Sequence, residues 1–134
     1  MAGESILIVD DNAANLKLAR VILTSEGYEV RTAGAAEEAL AVLRDYEPAL
    51  ILMDVQLPGM DGLELTRRLK SDPKTRGIAI VALTAYAMKG DEERMLAAGC
   101  DGYVAKPIDR RRLIQQIAEM VTRSKARHPE RPVK

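Results

Sequence analysis

Several residue types are missing or scarce in this chain of 134 residues. It contains no Phe or Trp, four Tyr, one Cys and one His, and its formal net charge is zero. A single cysteine excludes an internal disulfide and a thiolate metal cluster. The balanced charge and the few aromatic rings give no reason to expect direct DNA binding, which draws on excess basic charge and on base stacking.

Long apolar runs are also absent. No stretch approaches the roughly 20 apolar residues that span a membrane, and the N-terminus lacks a basic region followed by an apolar segment. We therefore expect a cytoplasmic protein without a transmembrane segment.

Charge is distributed unevenly along the chain. From Arg123 to the C-terminus there are five basic residues and one acidic residue, with two prolines and no apolar period. Such a composition favours disorder. We predict one domain over residues 1–122 and a basic, disordered tail over residues 123–134. The role of the tail stays open between a solvated end, a contact with an acidic partner or lipid, and a linker.

A continuous apolar run ends on a carboxylate near the middle of the chain. Residues 49–53 are all apolar and Asp54 follows them, with turn signals at Pro48 and at Pro58 on either side. This pattern is typical of a strand that is buried on both faces. In open α/β sheets ligands bind at the carboxyl edge, so Asp54 is a candidate functional residue.

The apolar patterns divide the chain into five strand–helix units. The predicted strands cover residues 5–11, 28–32, 49–54, 78–84 and 103–105. The predicted helices cover residues 13–26, 36–44, 63–70 and 89–98, and a last one runs from a cap at Asp109 to about Arg123. In the first helix the apolar residues are spaced for one inner face, and they include Leu16, Ala19, Val21, Ile22 and Leu23. Strict alternation favours an α/β fold, a doubly wound parallel sheet with helices on both faces.

Four of the five predicted strands bring a polar side chain to the same edge of this sheet. Strand one ends with Asp10 and Asp11, strand three with Asp54, strand four with Thr84 and strand five with Lys106. A single acid before a helix is usually a cap. Agreement among four strand ends indicates a functional site.

The residue types at this edge suit phosphate chemistry. Three converging carboxylates need a cation, and hard oxygen ligands without His or Cys favour Mg²⁺, with Mn²⁺ as a substitute. Lys106 has the charge to bind a phosphoryl oxygen, and Thr84 can donate a hydrogen bond to another. One carboxylate remains as a nucleophile, because carboxylates form aspartyl phosphates. We predict that Asp54 is the covalent phosphate acceptor.

These motifs resemble the receiver domain of two-component response regulators. The resemblance covers about residues 4–122 and rests on Asp10-Asp11, the run LILMD that ends at Asp54, Thr84-Ala85 and Lys106-Pro107. It implies the flavodoxin-like receiver fold, with a five-stranded sheet in the order 2-1-3-4-5. Residues 85–94 resemble most the stand-alone regulators of the DivK type, and also receivers that are fused to hybrid kinases.

The resemblance also implies how the site works. Asp54 takes a phosphoryl group from the phosphohistidine of a histidine kinase or a histidine phosphotransfer protein. Mg²⁺ is organised by Asp10, Asp11, Asp54 and the backbone carbonyl of Gln56. Lys106 contacts the phosphoryl group, placed by a cis bond to the following proline.

A switch pair is implied as well, formed by Thr84 and Tyr103. The hydroxyl moves toward the phosphate and the ring turns inward, so that the surface of helix 4, strand 5 and helix 5 favours a partner protein. The chain is then expected to be a phosphoacceptor and not an enzyme that acts on substrates. It is expected to be a monomer or a weak, phosphorylation-dependent dimer.

Other interpretations stay open at this point. The chain can be a receiver module from a larger hybrid kinase or effector protein. A phosphatase of the haloacid dehalogenase type would need an acid two residues after its nucleophile, where Gln56 stands. A flavin-binding module would need a phosphate loop rich in Ser, Thr and Gly in place of Asp10, Asp11 and Asn12. A transcription factor is disfavoured, because the residues after Arg123 are too few for a helix-turn-helix.

Overall fold

Strands and helices alternate along the whole described chain, as the apolar patterns predict. The structure is a computed structural model that describes residues 3–57, 60–85 and 89–127. The strands are β1 (Ser5–Val9), β2 (Glu29–Ala33), β3 (Leu50–Asp54), β4 (Ala79–Thr84) and β5 (Gly102–Ala105). The helices are α1 (Ala13–Ser25), α2 (Ala36–Leu43), α3 (Gly62–Ser71), α4 (Lys89–Ala98) and α5 (Arg110–Arg127).

The five strands form one parallel sheet in the order β2-β1-β3-β4-β5. The central strand β3 is buried along its whole length, and its Leu52 pairs with Ile8 of β1 and Val81 of β4. This confirms the predicted doubly wound fold and its strand order. Because all strands run the same way, the residues that follow them meet at one edge.

Two hydrophobic clusters cover the two faces of the sheet. On one face, side chains of α1 and α5, such as Leu23 and Ile117, pack on the strands. On the other face, α2, α3 and α4 contribute side chains such as Leu65 and Met95. Both sides of β3 are therefore shielded from water. In the part of the chain that the structure describes, no helix combines the length and the apolar character needed to cross a membrane.

Local sequence signals set the helix ends. The Asn12 side chain accepts a hydrogen bond from the Asn15 N–H and begins α1, and Asp61 does the same for α3 through the Glu64 N–H. After α1 comes Gly27 with φ 93°, a left-handed conformation that suits glycine.

Two predictions about the helices were wrong. The last helix does not end at about Arg123 but continues to Arg127, so the first part of the expected disordered tail is helical. Lys, Ala and Arg are good helix formers, and basic residues are favoured near a helix C-terminus. Residues 128–134 of that tail, and residues 86–88 of the DivK-like stretch, lie outside the described residues. The division into domain and tail thus stays a prediction.

Val21 is the second difference, since the apolar pattern placed it on the inner face of α1. Its side chain is 52% exposed, while Ala19, Ile22 and Leu23 are buried. Residues two positions apart on a helix point in nearly opposite directions, so Ala19 and Val21 cannot share a face.

A salt bridge stabilises the amino edge of the sheet, opposite the carboxyl edge where the acidic residues lie. Lys70 of α3 lies 3.0 Å from the Asp101 carboxylate and donates to the carbonyls of Ile78 and Arg76. The same Asp101 carboxylate accepts the backbone N–H of Ile80 at 2.8 Å. Both side chains are largely shielded from water, so these bonds tie α3, β4 and the segment before β5 together.

We expect Lys70→Met to lower the free energy of unfolding by about 1–3 kcal/mol, because the partly buried Asp101 carboxylate loses its cationic partner and keeps the Ile80 N–H. Methionine keeps the apolar part of the side chain. Chemical denaturation measures the change. The matched variant is Arg68→Met on the same helix, whose pair with Glu64 is exposed and 3.9 Å long. It should change the free energy of unfolding by less than about 0.5 kcal/mol, and equal effects of both variants would contradict the account.

Candidate functional site

Three carboxylates converge at the carboxyl edge of the sheet. Asp10 follows β1 and is fully buried, Asp54 ends β3 and is 2% exposed, and Asp11 is exposed at the rim. One oxygen from each of the three lies within 4.8 Å of the others. The structure therefore brings the predicted acids together.

Asp54 is held by two donors from different parts of the chain. The Gln56 N–H donates to Asp54 Oδ1 at 3.0 Å, and Lys106 Nζ lies 3.3 Å from the same oxygen. The Lys106 ammonium also lies 3.8 Å from Asp10 Oδ2. Among the described residues, Lys106 supplies the positively charged group that lies within 4 Å of Asp10 and Asp54. It thus opposes part of their negative charge.

Backbone contacts place Lys106 beside β4. Its N–H donates to the carbonyl of Thr84 at 2.7 Å, and its peptide bond to Pro107 is cis, as the resemblance implied. Thr84 itself is 4% exposed and lines a cavity of about 330 Å³ between α4 and the segment after β3. Thr84 therefore lies beside an open volume at the end of the sheet.

Tyr103 lies further back on β5, where it pairs with Ala82 of β4. It is half-buried and packs against the hydrophobic cluster that includes Met95 of α4. Its backbone carbonyl accepts a hydrogen bond from the Gln116 side chain of α5 at 3.1 Å. Tyr103 thus joins β5 to α5 and packs against the cluster that α4 shares, but the structure places it in the sheet and not at the carboxylates.

Burial changes the acidity of the central carboxylate. Removal from water, with the nearby negative charge of Asp10, raises the pKa of Asp54 to about 6 from an ordinary value of 3.8. The Gln56 N–H and the Lys106 ammonium oppose this rise in the pKa. At neutral pH Asp54 is therefore ionised, although burial and the charge of Asp10 disfavour the ionised form.

The donor set fits a hard divalent cation. It consists of carboxylate oxygens, which Mg²⁺ prefers, and the described residues bring no His or Cys into it. Asp10 Oδ2 is buried and accepts no hydrogen bond from the described residues. A buried carboxylate oxygen without a donor is costly, and a cation would satisfy it.

The sequence pattern did not predict a role for one residue at this edge. Gly62, the first residue of α3, sits directly against the backbone of Asp54, and its N–H donates to the Val55 carbonyl at 2.9 Å. The available signal was a glycine immediately after the capping residue Asp61. That signal is weak, since the contact depends on how α3 packs against β3.

Comparisons with known proteins agree with this geometry. The family model described as the response regulator receiver domain matches residues 6–118. The polar-differentiation response regulator DivK of Brucella ovis is 47% identical over 114 residues, which cover 85% of this chain and 93% of that protein.

Solved structures are similar as well. A CheY-like response regulator receiver domain protein from Methanospirillum hungatei has a TM-score of 0.85 at 35% identity, covering 94% of this chain and 99% of that one. The receiver domain of a sensor histidine kinase from Pseudomonas aeruginosa has a TM-score of 0.82 at 36% identity, covering 90% and 99%. The latter structure has a magnesium ion coordinated in its active site cleft.

We expect Asp54→Asn to stabilise the metal-free protein at pH 7.5. The raised pKa means that the folded state binds more protons than the unfolded state between pH 3.8 and about 6. The charge of Asp54 therefore lowers stability as the pH rises through this window, and the loss is complete above it. Removing the charge should raise the free energy of unfolding by about 1–3 kcal/mol, since one pKa unit corresponds to about 1.4 kcal/mol.

Urea denaturation with a chelator at pH 7.5 and pH 5 measures this effect. The gain should shrink at pH 5, where Asp54 is mostly protonated in the folded state. Asp45→Asn is the control, because Asp45 is exposed and lies outside the acidic cluster. A gain that is equal at both pH values, or a loss of stability at pH 7.5, would show that the buried charge is not the cause.

Proposed function

Because this chain belongs to the response regulator receiver family, we propose that it works in two-component phosphorelay signalling by carrying a phosphoryl group on Asp54. The donor is the phosphohistidine of a histidine kinase or of a histidine phosphotransfer protein. The observation that carries the proposal is the acidic cluster of Asp10, Asp11 and Asp54 with Lys106 beside it. The Lys106 ammonium beside the Asp54 carboxylate can offset the negative charge of an incoming phosphoryl group.

The transfer is a substitution at phosphorus. A carboxylate oxygen of Asp54 forms a bond to the phosphorus, the bond from phosphorus to the imidazole nitrogen breaks, and the imidazole leaves with the electron pair. Asp54 needs no general base, because at neutral pH it is already ionised. Lys106 holds a phosphoryl oxygen by charge, and the Thr84 hydroxyl donates to another.

The cation that suits this site is Mg²⁺, with Mn²⁺ as a substitute. Asp10, Asp11, Asp54 and the backbone carbonyl of Gln56 would hold it. When bound, it supplies positive charge that offsets the negative charge on the phosphoryl oxygens. The chain's own residues orient the acceptor: the Gln56 N–H fixes Asp54 Oδ1, and β3 keeps the carboxylate at the sheet edge.

Phosphorylation is proposed to act on the surface formed by α4, β5 and α5. A phosphoryl group adds negative charge and acceptor oxygens next to Thr84, which lines the cavity beside α4. Tyr103 packs against the hydrophobic cluster to which α4 contributes Met95, so a shift of Thr84 can be passed to that helix through the cluster. Leu96 on α4 is 53% exposed and offers an apolar contact for a downstream protein.

The same arguments bear on the other hypotheses. A chain in the receiver family with Gln56 two residues after the acceptor lacks the second acid of a phosphatase, so we propose a regulator and not an enzyme. The 47% identity with DivK, compared with 36% for the receiver domain of the histidine kinase, favours a DivK-like role. A monomer, or a weak dimer after phosphorylation, stays our prediction for its assembly.

We expect the wild-type chain to take up label from a phosphorylated histidine phosphotransfer protein in the presence of Mg²⁺, and Asp54→Asn to take up none. Lys106→Met should slow labelling on the order of 10²-fold, because it removes a charge that stabilises the transferring group. Rapid-quench measurements with radioactive phosphate give both rates.

Two controls accompany these variants. Asp45→Asn and Lys74→Met change an exposed acid and an exposed lysine away from the cluster, and both should label at the wild-type rate. Labelling of Asp54→Asn to the wild-type level would refute the acceptor assignment.

We expect Thr84→Ala to be phosphorylated on Asp54 but to show a smaller conformational response in α4 and β5. Phosphorylation with acetyl phosphate should change amide hydrogen exchange in α4 and β5 of the wild-type chain, because Thr84 moves toward the phosphate. In Thr84→Ala this change should fall to less than about half. Thr24→Ala, an exposed threonine on α1, is the matched control. If the exchange response of Thr84→Ala equals that of the wild-type chain, Thr84 is not part of the switch.

A further inference from the structure

The first residue of α3 touches the backbone of the proposed phosphoacceptor. A Cβ atom placed on Gly62 would overlap the carbonyl oxygen of Asp54 and would lie 2.9 Å from its carbonyl carbon and 3.0 Å from the Val55 Cα. Real Cβ atoms essentially never lie closer than 3.0 Å to such atoms. No side chain can therefore occupy this position unless α3 and β3 move apart.

The obstacle at Gly62 differs in kind from that at other glycines. A Cβ on Gly102 would meet the flexible end of Met120, and one on Gly34 would make an ordinary 3.5 Å contact with a Glu38 oxygen. Such side chains can turn away. At Gly62 the obstacle is backbone, in the peptide unit that carries the Asp54 side chain.

Hydrogen bonds fix the same short segment from three sides. The Val55 N–H donates to the Leu83 carbonyl of β4 at 3.1 Å, and the Val55 carbonyl accepts the Gly62 N–H at 2.9 Å. The Gln56 N–H donates to the Asp54 carboxylate at 3.0 Å. Residues 55 and 56 are thus hydrogen-bonded to β4, to α3 and to the Asp54 carboxylate.

A buried hydroxyl completes the contact on the helix side. Thr66 is fully buried, and its Oγ1 donates to the Gly62 carbonyl at 2.8 Å. Both residues belong to α3, so this bond ties the first turn of the helix, which carries Gly62, to its buried second turn. Thr66 therefore supports the position of Gly62 without touching the carboxylates.

We propose that Gly62 is a positioning residue for phosphotransfer, which sets where the backbone of residues 55 and 56 lies relative to the Asp54 carboxylate. The inference rests on the proposed function for the role of that carboxylate. A methyl group at residue 62 moves this backbone, and with it the Gln56 N–H and the Gln56 carbonyl. Cation binding and phosphotransfer then weaken together, although residue 62 contacts neither cation nor phosphate.

The test compares Gly62→Ala with the wild-type full chain by direct titration of Mg²⁺ and by the Mg²⁺ dependence of phosphorylation. Supporting residues around a metal site typically change affinity by about 10–100-fold. We expect the Mg²⁺ concentration for half-saturation to rise about tenfold in both measurements. Circular dichroism fixes a temperature at which both proteins are folded, so a general loss of stability cannot produce this shift.

Thr66→Val is the second variant, and it keeps the test decisive if Gly62→Ala does not fold. Valine has a similar shape but cannot donate to the Gly62 carbonyl, and it should shift the half-saturation in the same direction by a smaller factor. Gly34→Ala is the matched control, since its added methyl group has room. It should leave both Mg²⁺ curves unchanged.

Two results would overturn the inference: a folded Gly62→Ala with the wild-type Mg²⁺ affinity, or a Thr66→Val that leaves the half-saturation unchanged when Gly62→Ala does not fold. Failure of the proposed function looks different. In that case the wild-type chain itself would not be phosphorylated on Asp54, while direct Mg²⁺ titration would still compare the variants.

Discussion

Asp10 and Asp54 are almost completely buried, and their carboxylates crowd with that of Asp11 at the end of a parallel sheet. Burial removes the water that would screen their charges, so they repel one another strongly. The Lys106 ammonium lies near two of them and opposes only part of this repulsion. The site is therefore short of positive charge, which favours a divalent cation. In the function that we propose, a phosphoryl group on Asp54 adds more negative charge here, and Thr84 and Lys106 respond to it first.

The rest of the fold holds these charges in place. Strand β3 is buried from end to end, so Asp54 cannot move away from its neighbours without unpacking the sheet. Helix α3 seats its first residue, Gly62, on the backbone of Asp54, while its last turn is fastened by Lys70 at the opposite edge. Helix α3 thus supports the proposed acceptor, and α4 lies next to the cavity that Thr84 lines.

Most of this arrangement follows from patterns that are local in sequence. The apolar runs predict β3 and β4, and parallel strands necessarily bring Asp54, Thr84 and Lys106 to one edge. What could not be predicted depends on packing between distant segments. The contact of Gly62 with the Asp54 backbone depends on the angle at which α3 packs against the sheet. The continuation of α5 to Arg127 has another cause, because helix propensity in residues 123–127 outweighs the charge that suggested disorder. The exposure of Val21 was foreseeable from helical geometry.

The most direct test of the account is to locate the phosphoryl group chemically. After phosphotransfer from a phosphorylated histidine phosphotransfer protein, borohydride reduces an aspartyl phosphate to homoserine, which mass spectrometry assigns to one residue. We expect homoserine at residue 54 alone, formed with Mg²⁺ and absent with a chelator. Homoserine at residue 10 or 11, or a phosphoryl group on another side chain with residue 54 unchanged, would contradict it.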